Sequence, residues 1–281
     1  MRDRIDRHIA RGRFDSLARA LDGAKARDVR YAADRLVDAS GSGKAVLKRT
    51  RDLVTDGKQG ALHLAGQLIP ACYRHDANAA MKLLLHLVGN ADWTVRDAAA
   101  ETCGRLLRGN FTPMLETLHI WRTDASPAVR RAVVVAAGRA ARSDRLERAE
   151  PLLKLLEPLL ADEDDAVRRV LGPSTLGRSL LGCYPTIAFE YVLKWSTSYD
   201  PPVLWNVAMA FSAPPAAAIG RKALIVLRKL SLDDRRSVRR AVSSAMWKLG
   251  RRCPEIVRPE LMRWLEDERR VGVARDALRY L

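Results

Sequence analysis

The stretch Trp93-Thr94-Val95-Arg96-Asp97-Ala98-Ala99-Ala100 decides the fold, because its kernel, Val95-Arg96-x-Ala98, recurs in varied form along the 281 residues of the chain. The residues equivalent to Val95 lie 33 to 38 positions apart: Val29, Leu62, Val95, Val129, Val167, Val203, Val238 and Val273. A nearly fixed period of this length is the signature of a repeat protein, in which each repeat is one supersecondary unit.

A second pattern indicates the structure of each repeat. Eight positions before each Val95 equivalent stands another apolar residue: Leu21, Val54, Leu87, Trp121, Leu159, Trp195, Leu230 and Leu265. Short polar turns lie between the two positions, and residues such as Asp92 and Ser126-Pro127 suit helix caps and first turns. Each repeat is thus predicted to be a helix, a turn and a second helix. Because one helix pair cannot bury its apolar face alone, neighbouring pairs must stack.

These repeats resemble HEAT repeats. We therefore expect an all-α fold, a right-handed α-solenoid of about eight HEAT-like helix pairs, in which residues 1–281 form a single domain. The run Gly41-Ser42-Gly43-Lys44-Ala45 has Asp38 and Ala45 where a phosphate-binding loop needs Gly and Ser or Thr, so we interpret it as a turn. Pro173 falls inside a predicted second helix and predicts a kink or break at residues 171–174.

Composition narrows the choice of partners. Lys and Arg number 49 against 33 Asp and Glu, and the resulting charge of +16 favours a polyanion such as nucleic acid. The alternative is an arginine-rich surface that is merely solvated. Because the start of the chain lacks a signal-peptide pattern and no apolar run could span a membrane, we expect a cytoplasmic protein without membrane contact. Four separated cysteines and five scattered histidines predict reduced thiols, no metal and no cofactor.

The predicted second helices carry a ladder of arginines. Positions 0, +3, +4 and +7 from each Val95 equivalent form the buried stripe, and positions +1, +2, +5, +6 and +9 face the opposite, concave side. Arginines at +1 and +2 would line a basic groove that follows a phosphate backbone: Arg96, Arg130, Arg131, Arg168, Arg169, Arg239 and Arg240. The alternative for a +1 arginine is an ion pair with the turn Asp of a neighbouring repeat. The double arginines exceed that need and are the stronger candidates for phosphate contact.

The tryptophans fall into two groups in the same register. Trp121 and Trp195 occupy the apolar −8 position and are predicted core residues. Trp93 lies at a helix start near the rim of the groove, and Trp205 at +2 and Trp247 at +9 point into it. Exposed aromatic rings among arginines can stack on a base or hold a cationic base by cation–π attraction.

The spacing Trp93-x-x-x-Asp97, an arginine in the next repeat and a basic concave face resemble the HEAT-like alkylpurine DNA glycosylases of the AlkD/AlkC type. The resemblance implies that Asp97 is the catalytic carboxylate, that Trp93 contacts the damaged nucleoside, and that Arg130 or Arg131 clamps the backbone. The family's second tryptophan has no counterpart in the fifth repeat, and Trp205 one repeat later is the only substitute. The alternative for Asp97 is an ion pair with Arg131.

Three functions remain open. A monofunctional DNA glycosylase would excise N7- or N3-alkylated purines from double-stranded DNA, and a carboxylate would stabilise the oxocarbenium-like transition state. A non-catalytic nucleic-acid binder would keep the groove without the chemistry. A protein scaffold would hold an acidic protein partner in the groove, with Trp205 and Trp247 as its main contacts. Enzyme activity is therefore an open question, and double-stranded DNA is the favoured partner.

Overall fold

All secondary structure is helical in the computed structural model, which describes residues 1–281 and contains no β-strand, so the all-α prediction is confirmed. The chain divides into two compact units, Met1–Met114 and Leu115–Leu281. The prediction of one solenoid domain stays a prediction. No single helix has the length and apolar character to cross a bilayer. Two helical segments, Pro201–Ala210 and Pro214–Leu230, have them only when taken together, and they are bent by 86° relative to each other.

The first unit is built around one central helix. Its helices in chain order are α1 (Arg2–Ala10), α2 (Phe14–Ala20), α3 (Ala26–Ser40), α4 (Gly43–Asp56), α5 (Gln59–His75), α6 (Ala77–Val88) and α7 (Trp93–Gly109), and α8 (Phe111–Trp121) begins in it. Helix α5 contacts α3 on one side and α7 on the other, and it also packs on α4 and α6. The predicted second helices α3, α5 and α7 thus form one layer, and α4 and α6 form another.

The second unit repeats this two-layer arrangement. Its helices are α9 (Pro127–Ala140), α10 (Ala149–Leu156), α11 (Asp165–Val170), α12 (Leu181–Cys183), α13 (Pro185–Trp195), α14 (Pro201–Ala210), α15 (Gly220–Leu230), α16 (Arg236–Gly250), α17 (Pro254–Leu265) and α18 (Val271–Leu278). Helices α9, α11, α14, α16 and α18 belong to one row, with a π-helix, Leu171–Leu180, between α11 and α14. Helices α10 and α13 are neighbours in the other layer, as are α15 and α17.

Burial follows the register that the repeats predict. Seven of the eight Val95 equivalents are buried, and at the exception, Val203, the next residue, Leu204, is buried instead. The −8 residues are buried except Val54 and Leu265, where the preceding residue takes the core position. The pattern therefore locates the core of each helix to within one residue.

Two turns before second helices are capped as expected, whereas Ser126 before α9 forms no capping hydrogen bond. Asp92 and Asp164 each accept a hydrogen bond at 2.8 Å from the backbone N–H two residues later, which ties the first turn of α7 and of α11. Gly41 ends α3 with a φ of 65°, a left-handed conformation that favours glycine, and Ser42 caps α4. The run that superficially matches a phosphate-binding loop is thus a short turn, Gly41-Ser42, followed by the first residues of α4.

Pro173 changes the winding of its helix. The helical path continues from Asp165 to Cys183, but residues Leu171–Leu180 wind as a π-helix. In an α-helix, proline removes one hydrogen bond and its ring clashes with the carbonyl of Arg169, four residues earlier. The wider π turn accommodates the ring, so the predicted kink or break at residues 171–174 takes the form of a ten-residue change of winding.

The tryptophans of the first helices of the repeats, α8, α13 and α17, belong to the core. Trp121 is 7% exposed and Trp195 is 5% exposed, as the sequence predicts. The indole N–H of Trp195 donates to Glu157 at 2.8 Å, which satisfies its one polar atom. Trp264 is 3% exposed and donates in the same way to Glu260, at 2.8 Å.

The carboxylate of Glu260 is almost completely buried, with 4% of its side chain exposed. Arg228 donates to both of its oxygens, at 2.5 and 2.8 Å, and Arg263 adds a third bond at 2.6 Å. Burial would raise the pKa of Glu260, but the hydrogen bonds from Arg228 and Trp264 outweigh it, and the pKa lies below its usual range.

We expect Glu260→Gln to lower the free energy of unfolding by about 2 kcal/mol at pH 7, because charge-assisted hydrogen bonds are lost. A lowered folded-state pKa stabilises the protein above the unfolded pKa, near 4.3, and this contribution disappears as the pH falls through the folded value. Denaturant unfolding of both proteins between pH 7 and 3 checks this. The exposed Glu268→Gln is the control, and a difference that did not shrink in acid would contradict the prediction.

Candidate nucleic-acid interface

The first turn of α7 presents the two residues on which the predicted chemistry depends. Trp93 begins the helix and is 69% exposed, and Asp97, one turn later, is half-buried. Glu101 and Arg105 continue the same four-residue spacing and are also half-buried. Side chains four apart are neighbours on a helix surface, so one stripe of α7 carries an exposed indole, two carboxylates and a guanidinium.

Hydrogen bonds to α5 fix the start of this stripe. The Asp92 carboxylate accepts from the Thr94 N–H and hydroxyl, both at 2.8 Å, and from Gln59 at 2.9 Å. The Thr94 hydroxyl and N–H lower the pKa of Asp92. His63 lies 3.1 Å from the Thr94 hydroxyl, and burial lowers the pKa of its imidazole. Trp93 therefore projects from a turn that is fixed by hydrogen bonds within α7 and to α5.

Arg96, the +1 arginine of α7, is bonded to its own turn. Its Nη1 donates to the carbonyls of Asn90 at 2.7 Å and of Ala91 at 2.6 Å. These carbonyls have no helical partner, so the guanidinium caps the turn before the helix. A structural role is therefore established for Arg96, and its contact with DNA stays a prediction.

Arg130 makes the same bonds one repeat later. Its Nη1 donates to the carbonyls of Asp124 and Ala125, at 2.9 and 3.1 Å. Its Nε and Nη2 grip the carboxylate of Asp162, at 2.6 and 3.1 Å, and this pairing raises the pKa of Arg130. Asp162 lies in the turn before α11, so the ladder alternative, an ion pair with a neighbour's turn Asp, is realised here. Arg131, the next residue, is half-buried.

The other predicted arginines are more open. Arg168 and Arg169 both donate to Asp165 and lower the pKa of that carboxyl, yet 76% of the Arg169 side chain is exposed. Arg239 donates to a backbone carbonyl at 3.0 Å, and Arg240 is exposed. Such surface ion pairs contribute little to stability, and phosphate contact by these four side chains stays a prediction.

The two remaining tryptophans have different surroundings. Trp205, on α14, is half-buried. Trp247, on α16, is half-buried against Tyr280, whose ring centre lies 5.7 Å away. Lys248 and Arg251 lie 5.7 and 5.9 Å from the centre of the Trp247 ring. Trp247 therefore belongs to an aromatic pair with two cations beside it, and its place in a groove stays a prediction.

A cavity in the first unit was missed from the sequence. It has a volume of about 460 Å³ and lies between α3, α5 and α7. The residues with polar side chains in its lining are Arg30, Asp34, Asp38, Gln67, Arg74 and Arg105. The signal that could have found Arg105 is its place in the four-residue spacing that starts at Trp93.

A proline in α5 helps to place Arg105. Pro70 has no N–H, so the carbonyl of Gly66, four residues earlier, lacks its helical donor. The hydroxyl of Thr102 on α7 lies 3.2 Å from that carbonyl, and it accepts a bond from Arg105 at 2.8 Å. The same guanidinium donates to Gln67 at 2.5 Å. Arg105 is thus oriented by two groups, Gln67 and Thr102, neither of which carries a charge.

The structure brings together no group of three or more His, Cys, Asp or Glu residues that could hold a metal ion. All four cysteines are unpaired, and burial raises the pKa of Cys103 to about 12. A thiol with this pKa is protonated at pH 7 and is a poor nucleophile. The chemistry available at α7 is therefore that of a carboxylate, an indole and guanidinium groups.

We expect Arg130→Gln to lower the free energy of unfolding by about 3 kcal/mol, because Asp162, with 4% of its side chain exposed, would lose its partner. Arg240→Gln, which removes an exposed charge, should change it by less than about 0.5 kcal/mol. Denaturant unfolding checks both. The double variant Arg130→Gln/Asp162→Asn should recover part of the loss, and strict additivity would contradict a direct pair.

Comparison with known proteins identifies a family. The model of the family described as DNA alkylation repair enzyme matches residues 12–173. No curated protein matches the chain. Two crystal structures of engineered proteins are each 18% identical to it: one covers 90% of this chain and 72% of its own with a TM-score of 0.36, and the other covers 80% and 90% with a TM-score of 0.29. The family match spans more than half of the chain, so this protein belongs to the DNA alkylation repair enzyme family.

Proposed function

We propose that this protein is a monofunctional DNA glycosylase that excises N7- or N3-alkylated purines from double-stranded DNA. One observation carries the proposal: Trp93 is 69% exposed, one turn from the half-buried carboxylate of Asp97. Both residues lie in the segment that matches the repair family. An indole this exposed contributes little to packing, and large exposed rings beside charged groups favour a role in binding.

Asp97 would act on the sugar rather than on the base. An N7- or N3-alkylated purine carries a positive charge and leaves as a neutral base, so little acid catalysis is needed. The sugar acquires oxocarbenium character in the transition state, and an ionised carboxylate stabilises that cation and positions the attacking water. Water adds to the anomeric carbon as the N-glycosidic bond breaks, one proton is released, and the products are the free base and an abasic site.

Trp93 would hold the damaged nucleoside beside this carboxylate. The face of an indole ring attracts a cation, and this attraction distinguishes a cationic alkylpurine from a neutral purine. The turn held by Asp92, Thr94 and Gln59 provides a rigid base for the ring. Recognition would then depend on the charge of the lesion as well as on its shape.

The backbone clamp would be Arg130 or Arg131. Arg130 already directs four hydrogen bonds to protein oxygens and holds Asp162, so its loss would be felt first in stability. The exposed Arg169 and Arg240 are the next candidates for phosphate contact, together with Arg168 and Arg239. Trp205 and Trp247 lie beyond the family-matched segment and would contact DNA farther from the lesion.

The arrangement of the helix pairs is a further part of this proposal. We infer that the helix pairs form one right-handed HEAT-like solenoid of about eight repeats with a basic concave groove. Its support is the regular period of the Val95 equivalents and the two-layer packing within each unit.

The alternative is a HEAT-repeat scaffold or a nucleic-acid binder without catalysis. A specific observation favours it: the +1 arginines Arg96 and Arg130 are bonded to protein oxygens, so the ladder offers DNA fewer cations than the sequence suggests. In that case an acidic protein partner or undamaged nucleic acid would occupy the groove, and Trp205 and Trp247 would be its principal contacts.

We expect Asp97→Asn to slow release of the base from N7-methylguanine-containing duplex by about 10²-fold or more, because the transition-state cation loses its counter-charge. Duplex binding should persist. Single-turnover release and a binding titration measure the two effects, with Glu163→Gln as a control that removes an exposed carboxylate. Release at the wild-type rate by Asp97→Asn would remove this residue from the mechanism.

We expect Trp93→Ala to weaken binding of the alkylated duplex about tenfold, and Trp93→Phe to retain most of it, because Phe keeps an aromatic face. Titration of alkylated and undamaged duplexes of the same sequence separates lesion recognition from general affinity. An equal loss on both duplexes would show that Trp93 does not read the lesion.

A further inference from the structure

The cavity between α3, α5 and α7 collects positive charge that the protein does not neutralise. Arg30, Arg74 and Arg105 line its volume of about 460 Å³. Arg30 and Arg74 are exposed and form no ion pair. Three guanidinium groups from three helices converge here, and the lining holds two carboxylates, Asp34 and Asp38. Converging guanidinium groups commonly bind a phosphate or a carboxylate.

Arg105 is the least solvated of the three. Its two hydrogen bonds go to uncharged oxygens, those of Gln67 and Thr102, and its Nε is buried without a partner. Burial, followed by the charge of Arg30, lowers the pKa of Arg105. The charges of Glu101 and Asp34 oppose this lowering, but neither carboxylate forms an ion pair with Arg105. A partly buried cation without a paired carboxylate costs free energy, and a bound anion would offset that cost.

The carboxylates in the lining do not cancel this charge. Asp38 faces Arg35, outside the cavity lining, at 3.9 Å. Asp34 is exposed and has no ion pair. Two carboxylates thus stand against three arginines in the lining, and Asp34, which has no ion pair, would repel a bound anion.

A second cavity continues the first along α5. It has a volume of about 510 Å³, and Arg74 and Asp38 line both cavities. The combined space extends from Arg105 towards the turn at Ser42. A single small ion would occupy only part of it, so the shape favours an extended ligand with a phosphate in its chain.

We propose that this cavity binds a phosphate group, and that a backbone phosphate of the bound DNA supplies it. The DNA source rests on the proposed function, whereas the phosphate site does not. Arg105 follows Asp97 by eight residues on α7, a distance of about 12 Å along the helix axis. Phosphates recur about every 3.4 Å along one DNA strand, so a duplex on α7 would place its backbone at the cavity a few nucleotides from the lesion.

The test is the salt dependence of binding to undamaged duplex. The slope of log K against log salt should become less negative by about 0.9 for each lost phosphate contact. We expect a change near this size in Arg30→Gln and Arg74→Gln, whose side chains hold no structural bond, and in Arg105→Gln, whose melting temperature is checked in parallel. The control is Lys48→Gln/Arg51→Gln, which removes two exposed charges from α4 of the same unit.

Asp34→Asn is the complementary variant. Removal of this unpaired carboxylate should tighten duplex binding about two- to fivefold at low salt, because an exposed charge interaction is worth up to about 1 kcal/mol. Misfolding weakens binding, so it cannot imitate this gain.

Free phosphate is tested separately by adding inorganic phosphate or chloride at equal ionic strength and measuring the melting temperature. Stabilisation by phosphate in the wild type, lost in Arg30→Gln/Arg74→Gln, together with unchanged DNA slopes, would assign the site to a free phosphate group. Cavity variants that match the α4 control in both assays would overturn the proposal. Neither assay involves base release, so failure of the phosphate-site proposal is distinct from failure of the glycosylase proposal.

Discussion

Side-by-side packing of the second helices is the constraint on which the rest of this structure depends. In each unit the helices of this layer contact the next of their kind, and small residues such as Ala99 and Ala136 let them approach. Buried hydroxyls join them: Thr102 contacts the carbonyl of Gly66, Thr175 that of Val134, and Ser243 that of Val273. The carbonyl of Gly66 lacks its helical donor because of Pro70, so the Thr102 hydroxyl also offers it a hydrogen-bond partner.

This packing also decides where arginine side chains go. Only part of the +16 charge faces solvent freely, because Arg96 and Arg130 cap turns and Arg130 bridges to Asp162. The exposed Arg169 and Arg240 remain for a partner. The charge that most needs an anion, Arg105, is not on the predicted ladder at all. Net charge therefore indicates the class of partner, but hydrogen bonding determines which residues can meet it.

The fold was predictable because it depends on a period. Burial of the Val95 equivalents, the caps at Asp92 and Asp164, and the core positions of Trp121 and Trp195 all follow from local rules. Pro173 shows the limit: proline predicts a disturbance, but only the packing of the neighbouring helices selects a π-helix over a break. The site was predictable only in part. The exposure of Trp93 fits its predicted place at a helix start, and the pairing of Arg130 with Asp162 is the alternative that the sequence offered for a +1 arginine. The cavity at Arg105, in contrast, depends on contacts across repeats.

The most direct test of the central claim is the fate of N7-methylguanine in duplex DNA incubated with the wild-type protein. We expect free base to appear under single-turnover conditions and to leave an unbroken strand with an abasic site, as a monofunctional glycosylase would. Salt-sensitive duplex binding without any released base would contradict the claim, and Trp93 and Asp97 would then belong to a protein that binds nucleic acid without cutting the glycosidic bond.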